Sequence, residues 1–275
     1  MAFKRMMDLH VHTDNSFDGH HSAMFLCEQA VHKGLRAIAF TDHMDIDLYE
    51  QQNLNERQLQ SFFEVTKARS AFQGKLLVLN GIELGQGTFD MPLSEKSVQR
   101  FDYDFIIGSM HELRDSTDYS QLKYDEYTRD ELDKLLEQYT QELYQLALWG
   151  HFDTMAHITY PLRYLCGVYK IPYDFSRFDD TIDEVFKTLI VKGKALEINT
   201  SGLRQNLNET MPGERYVRRF RELGGEFVTI GSDAHFAADV GAGIQQGLEI
   251  AQRCGFRYTT FFQKREPMPV PIEKQ

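Results

Sequence analysis

The sequence is short of cysteine, of long apolar runs and of positive charge, and each shortage closes off a class of protein. Only three cysteines, Cys27, Cys166 and Cys254, occur in 275 residues, far apart and with no C-x-x-C pair. That pattern excludes a disulfide scaffold and a thiolate zinc site, and reads as reduced thiols in a reducing compartment. No apolar run approaches the ~20 residues of a membrane span, and residues 1–5 lack the apolar stretch of a signal peptide. A cytoplasmic protein without a membrane partner is expected. Lys and Arg number 30 against 41 Asp and Glu, a formal net charge of -11. Such a surface repels phosphate backbones, so no nucleic-acid partner is expected. A small anionic ligand stays open if a metal inverts the local field. The G-x-S-x-G nucleophile elbow and the P-loop are also missing, and Gly85-x-Gly87 and Gly241-x-Gly243 read as turns.

Composition is otherwise that of a folded chain, 42% hydrophobic and 26% charged, and it is long enough to bury a sizeable core. Short apolar runs at 7–11, 37–40, 76–79, 105–107, 154–156, 195–198 and 227–230 read as buried parallel strands. Amphipathic stretches at 22–33, 55–72, 130–148, 180–191, 213–223 and 243–253 read as helices. Strands alternating with helices predict an α/β fold with a parallel sheet. With no linker or repeat, one domain over 1–275 is expected. The polar gap 112–129 reads as a solvated loop or a substrate lid. The proline-rich tail 267–271 reads as extended chain. No sequence feature specifies an oligomeric state.

Metal-capable side chains gather where the predicted strands end. The first strand delivers His10 and His12, which share a face because residues i and i+2 of a strand do. The second leads to His43, the third to Glu83, the fourth to His111, the fifth to His157 and the sixth to Asn199. The seventh leads to Asp233 and His235. Barrel folds build active sites at this end. Imidazoles with carboxylates suit Zn, Mn or Fe. The candidates His10, His12, Asp18, His20, His43, Glu83, His111, His157, Asp233 and His235 are too many for one ion. Two or three divalent metals are expected, and paired metals favour phosphoester hydrolysis, supplying a water-derived nucleophile at neutral pH. Arg163 and Arg204, each just past a strand end, are candidates to clamp phosphate. Asp8 and Asp42 are candidates to orient the neighbouring histidines. His21, His32 and His151 read as bystanders.

Asp8-Leu9-His10-Val11-His12-Thr13, Thr41-Asp42-His43, Glu83, His111, His157 and Gly231-Ser232-Asp233-Ala234-His235 together resemble the motif set of the PHP (polymerase and histidinol phosphatase) superfamily, in order over residues 8–235. The segments 16–19 (SFDG) and 196–204 (LEINTSGLR) resemble most the monofunctional histidinol-phosphate phosphatases of histidine biosynthesis. The resemblance implies a distorted (β/α)7 TIM-like barrel with a trinuclear metal centre. It implies a first metal on His10, His12, Glu83 and Asp233, and a second bridged by Glu83 and held by His111 and His157. A third would lie on His43, His235 and Asp18, with His20 as the alternative; family members often carry histidine where Asp18 aligns. The implied reaction is hydrolysis of L-histidinol phosphate, a small anionic phosphate ester, to L-histidinol and phosphate. Asp233, His235, Arg163 and Arg204 are the candidate catalytic residues. Arg163, Arg204, Asn199 and Glu112 are the candidate substrate contacts, with the acidic loop 115–118 beside Glu112 for the cationic end.

Three other readings compete. Another phosphoesterase on the same scaffold, acting on phosphotyrosine or phosphodiesters, would share the metal site. A metal-dependent amidohydrolase commonly bridges its metals with a modified lysine, where this chain has Glu83. A vestigial binding module would have lost ligands, whereas a candidate stands at every position here.

Overall fold

The computed structural model describes residues 3–274; Met1, Ala2 and Gln275, the ends of the expected domain, lie outside the described residues. Parallel strands form a nearly closed barrel: β1 Met7–Val11, β2 Ala37–Phe40, β3 His43–Asp45, β4 Leu77–Gly85, β5 Phe105–Ser109, β6 Thr154–Met155, β7 Ala195–Asn199 and β8 Val228–Gly231. They pair in the order β1-β2-β4-β5-β6-β7-β8, with β3 also on β4. β2 and β3 are two halves of one barrel position, because Phe40↔Asn80 and His43↔Glu83 keep the same register. The barrel therefore has seven parallel positions. Between the halves, the Asp42 carboxylate turns away to accept from Thr13 N (2.6 Å), Thr13 Oγ1 (2.8 Å), Ser16 Oγ (2.8 Å) and Ser61 Oγ (2.5 Å). That seats the loop after β1 against the barrel rim.

The strands are buried on both faces, as in a sheet covered by helices, with polar residues confined to positions such as Asp8, His10, Glu83 and Glu197. β2 is Ala-Ile-Ala-Phe with every residue buried. The covering helices are α1 Ala23–His32, α2 Leu54–Ala71, α3 Met91–Val98, α4 Arg129–Trp149, α5 Tyr160–Leu162, α6 Asp179–Val191, α7 Glu214–Glu222 and α8 Ile244–Arg253. α4 shows how local sequence sets the bounds. Thr128 and Glu131 form a reciprocal capping box, and Gly150 ends the helix at φ 68°, a left-handed turn that glycine adopts without Cβ strain. Leu132, Leu136, Leu143 and Leu146 make its buried stripe. α5 runs directly into a π-turn at Arg163–Val168, which leaves Arg163 at the barrel mouth. Among the described residues no helix is long and apolar enough to cross a membrane.

The ring closes lightly. Between β8 and β1 there is one parallel bridge, Val11↔Ala234. Its backbone bonds are His12 N to Ala234 O (2.9 Å) and Asp233 N to His10 O (2.8 Å), with a weaker one from Ala234 N to His10 O (3.3 Å). At the opposite end an antiparallel hairpin, β9 Tyr258–Gln263 and β10 Glu266–Pro271, plugs the barrel. Phe262 is buried there, stacked on Phe105 at 5.5 Å.

Several elements depart from expectation. β4 continues through Asn80 and Gly81 to Gly85, while β6 stops at Met155. α3 was not expected, and the tail is extended as expected but paired. The gap 112–129 holds two short 3-10 turns that bury Tyr119 and Tyr124. It is therefore a packed wall with an exposed rim.

Candidate metal centre

All the strand-end candidates except His20 converge at the C-terminal mouth of the barrel. Glu83, near the end of β4, is the hub. Its Oε2 lies 3.3 Å from His10 Nε2 and 3.5 Å from His12 Nε2. Its Oε1 lies 3.1 Å from His111 Nε2 and 2.9 Å from His157 Nε2. Asp233 Oδ1 stands 3.8 Å from His10 Nε2 and 3.5 Å from His12 Nε2. Asp18 joins the two outer histidines, with Oδ2 3.1 Å from His235 Nε2 and Oδ1 3.6 Å from His43 Nε2. His20 points elsewhere: it is exposed and stacked on Phe236 at 4.1 Å. Asp18, not His20, stands beside His43 and His235.

The hydrogen bonds behind the imidazoles decide what their front nitrogens offer. His10 Nδ1 bonds Glu197 Oε1 at 2.7 Å, and His111 Nδ1 bonds Asp45 Oδ1 at 3.0 Å. His12 Nδ1 bonds Ser16 Oγ at 3.2 Å, and His235 Nδ1 bonds the Asp233 carbonyl at 3.1 Å. Ser16 Oγ donates to Asp42, so its lone pair is free to accept. With Nδ1 engaged in this way, the neutral form of each ring would present an Nε2 lone pair to a carboxylate. Lone pair facing carboxylate is repulsive unless a cation lies between. Nε2 of His10, His12 and His235 is buried without a hydrogen-bond partner, which buried polar atoms rarely tolerate.

The spacing also suits a metal. A tetrahedral shell with bonds of about 2.0–2.1 Å has donor–donor edges of about 3.3–3.4 Å. The His–carboxylate separations on Glu83 and Asp233, 2.9–3.8 Å, bracket that value. These residues fit a site for divalent cations in number, chemistry and burial.

Negative charge dominates the cluster: burial opposes charge on His10 and His111, yet Glu197 and Glu83 raise the first, and Glu83 and Asp45 the second, well above the usual imidazole range. Burial opposes the charge on Glu83, yet His10, His111 and His43 hold it well below the usual carboxylate range. Asp233 is held low in the same way, chiefly by His10 and His12. Burial, then His235 and His43, pushes His12 down to about 4, so this ring is neutral and able to ligate. Burial opposes charge on His43 too, but Asp45 and Glu83 carry it up to about 10.

A cavity of about 540 Å³ opens over this cluster, lined by Glu83, His111, His157, Asp233, Arg163, Tyr160 and Tyr164 together with Asp47, Glu112, Asp118 and Phe17. Arg163 NH1 is 3.8 Å from Asp233 Oδ2, and its guanidinium lies over Tyr164 at 5.2 Å. Arg204 does not line the cavity. Its NH1 and NH2 donate to the Ser232 (2.6 Å) and Asp233 (2.8 Å) carbonyls, and Nε faces Asp239 at 3.5 Å. It grips the back of the loop that carries Asp233, which holds φ 55°. Asn199 is fully buried and also works behind the site, donating to Glu197 Oε2 (3.1 Å) and reaching Asp233 Oδ2 at 3.5 Å. Asp8 does not orient His10. Its carboxylate accepts from Ser232 N, Ser232 Oγ and Gly241 N, anchoring the same loop from below. Asp42 reaches the histidines through Ser16, whose Oγ meets His12 Nδ1 and accepts from the His43 backbone N–H at 3.1 Å. His32 and His151 are exposed, His151 stacking on Trp149, and His21 packs on Phe25; none joins the cluster.

The orienting carboxylates Glu197 and Asp45 were not singled out from the sequence. The signal was present: Glu197 stands two residues before Asn199, and Asp45 two after His43, so each shares its neighbour's strand face.

A seven-position parallel barrel with a His- and carboxylate-lined metal site at its C-terminal mouth defines a metallohydrolase class, and the chain belongs to the PHP domain family, whose model matches residues 8–201. It is similar over nearly its whole length to named members. A probable histidinol-phosphatase of Clostridium acetobutylicum is 30% identical over 94% of this chain and 98% of that protein. The histidinol-phosphatase of Lactococcus lactis is 26% identical over 94% of each. Among solved structures, histidinol phosphate phosphatase from Lactococcus lactis, complexed with zinc, L-histidinol and phosphate, superposes with a TM-score of 0.79 at 23% identity, covering 96% of this chain and 99% of that one. A putative histidinol phosphatase from Listeria monocytogenes gives 0.72 at 18% identity, covering 87% and 99%.

Proposed function

We propose that this chain is a metal-dependent phosphatase that hydrolyses L-histidinol phosphate to L-histidinol and phosphate. One observation carries the reading: the cavity is lined by two chemically opposite groups. One is the His/carboxylate centre with Arg163, suited to a phosphate. The other is a cluster of further acids beside it, Asp47, Glu112 and Asp118, suited to an amine and an imidazole. Burial, then the charge of Asp47 and a hydrogen bond with it, pushes Glu112 up to about 8. Like charges crowded in this way favour an organic cation beside them. The named relatives spanning this chain support the same substrate.

His10, His12, Glu83 and Asp233 would hold one divalent cation. Glu83 would bridge to a second on His111 and His157, and His43, His235 and Asp18 would hold a third. Bound metals supply Lewis-acid stabilisation of the phosphate and a nucleophile at neutral pH. Arg163 takes a phosphate oxygen by a charge-assisted bond. Asp233 Oδ2, steadied by Asn199 and by Ser201 Oγ at 3.3 Å, faces the cavity beside Arg163. It takes the proton of the attacking water and returns it to the leaving oxygen. His235, with Nδ1 on a backbone carbonyl and Nε2 towards Asp18, serves to hold metal. Arg204 acts through the Asp233 loop and does not touch phosphate.

Phosphate release from L-histidinol phosphate, measured beside p-nitrophenyl phosphate and a phosphotyrosine peptide with and without Mn²⁺, tests the reading. A kcat/KM for histidinol phosphate far above the others, lost in Asp233→Asn, is expected. Equal or better rates on the other esters would move the protein to a different branch of the family.

A further inference from the structure

We propose that the end of the barrel opposite the metal centre carries a second site, for a small amphipathic anion: a carboxylate or phosphate group on an apolar body. The β9–β10 hairpin plugs that end, with Phe262 packed among Met7, Leu9 and Ala37, and its Phe261 and Val270 border a cleft beside the first strands. A cleft of about 530 Å³ opens there, where β1, β2 and β4 begin. Its size is that of a small-molecule pocket. Met7, Leu77 and Phe261 give it an apolar floor, and Lys4, Arg5 and Arg36 stand around it. No acidic side chain lines it, in a chain whose net charge is -11. Lys4 is 3.7 Å from Glu273. Among the described residues neither Arg5 nor Arg36 has a carboxylate within ion-pair reach.

The chemistry of the occupant follows from this pairing. Covering the floor stabilises an apolar body by about 25 cal/mol per Å², and guanidinium groups recognise carboxylate and phosphate oxygens in a fork. An inorganic ion would leave the floor wet. An extended polyanion would run past three cations onto an acidic surface that repels it. A compact ligand with one anionic end satisfies both halves of the cleft.

The test uses 8-anilinonaphthalene-1-sulfonate as the probe. It is titrated into the full-length, metal-loaded protein in saturating inorganic phosphate, so that the catalytic centre is filled. A saturable, one-to-one rise in fluorescence is expected. The Arg5→Glu/Arg36→Glu double variant should weaken it about tenfold, a loss of ~1.4 kcal/mol, while Arg36→Lys retains it. Hydrolysis of p-nitrophenyl phosphate should be unchanged in all three proteins. A non-saturable signal, or equal affinity in the charge-reversed protein, would overturn the proposal. Both arginines are exposed, so the variants should fold, and unchanged hydrolysis verifies it.

Discussion

Replacing Glu197 by glutamine isolates the role of one hydrogen bond in the metal centre. The carboxylate sits behind the cluster, 1% exposed. Oε1 accepts from His10 Nδ1 at 2.7 Å; Oε2 accepts from the His157 backbone N–H at 3.0 Å and from Asn199 Nδ2 at 3.1 Å. A glutamine must choose. If its oxygen faces His10, its NH2 meets two donors and two buried bonds are lost, at roughly 1–3 kcal/mol. If its NH2 faces His10, the ring must accept at Nδ1. The proton then moves to Nε2, the atom aimed at Glu83 and Asp233, and that lone pair is gone. Loss of such an orienting partner weakens metal binding by about 10–100-fold. Glu197→Gln should therefore show weaker binding in a metal competition titration, or a lower melting temperature by about 2–4 °C per kcal/mol, with most of kcat regained at high metal. Metal affinity and melting temperature both equal to the parent's would refute the claim that Glu197 fixes His10.

Arg163→Ala should raise KM for phosphate esters by about 10–100-fold, the loss of one charge-assisted bond of about 1.5–3 kcal/mol. Arg204→Ala should mainly lower kcat, by loosening the Asp233 loop; steady-state kinetics separate the two roles. Gly85→Ala would bring a Cβ to 1.9 Å from Asp45 Oδ1 and 3.3 Å from His111 Nδ1. It should push Asp45 off His111, cost about 1–3 kcal/mol and leave a protein whose rate needs more added metal, read from a metal-dependence curve. Thr128→Ala removes the capping box of α4. It should cost about 1 kcal/mol in thermal unfolding and leave kinetics unchanged.

Apolar run length made the barrel legible. β1 and β2 match the expected 7–11 and 37–40, since both are short runs bounded by polar residues. β4 was cut short because Asn80 and Gly81 look like strand breakers. In the fold Asn80 Nδ2 donates to Phe62 O, and a Cβ at Gly81 would lie 2.4 Å from Phe105 O. The glycine permits close packing of strands there rather than ending one. The hairpin was hidden by Pro267, Pro269 and Pro271, which pair with Phe262, Thr260 and Tyr258. At alternate positions, prolines can all take the side of the strand that donates nothing to the ladder. In the site, residue types at strand ends pointed to side chains that the fold brings together, because period-two geometry acts within one strand. What they lacked was depth. Asn199 and Arg204 occupy the expected places in the chain, but their polar atoms are taken by Glu197, Asp233 and backbone carbonyls. Such competition between distant segments leaves no local pattern.

The lightly closed seam gives the metal centre a mechanical meaning. His10 and His12 lie on one lip of the gap between β1 and β8, Asp233 and His235 on the other; among the described residues three backbone bonds join the strand ends, and one more runs from His20 N to His235 O. A cation held by donors from both lips acts as a rivet through a split hoop. Part of its binding energy is then energy of barrel closure, and amide exchange at His12, Asp233 and Ala234 should quicken when the rivet is drawn, well before the far staves loosen.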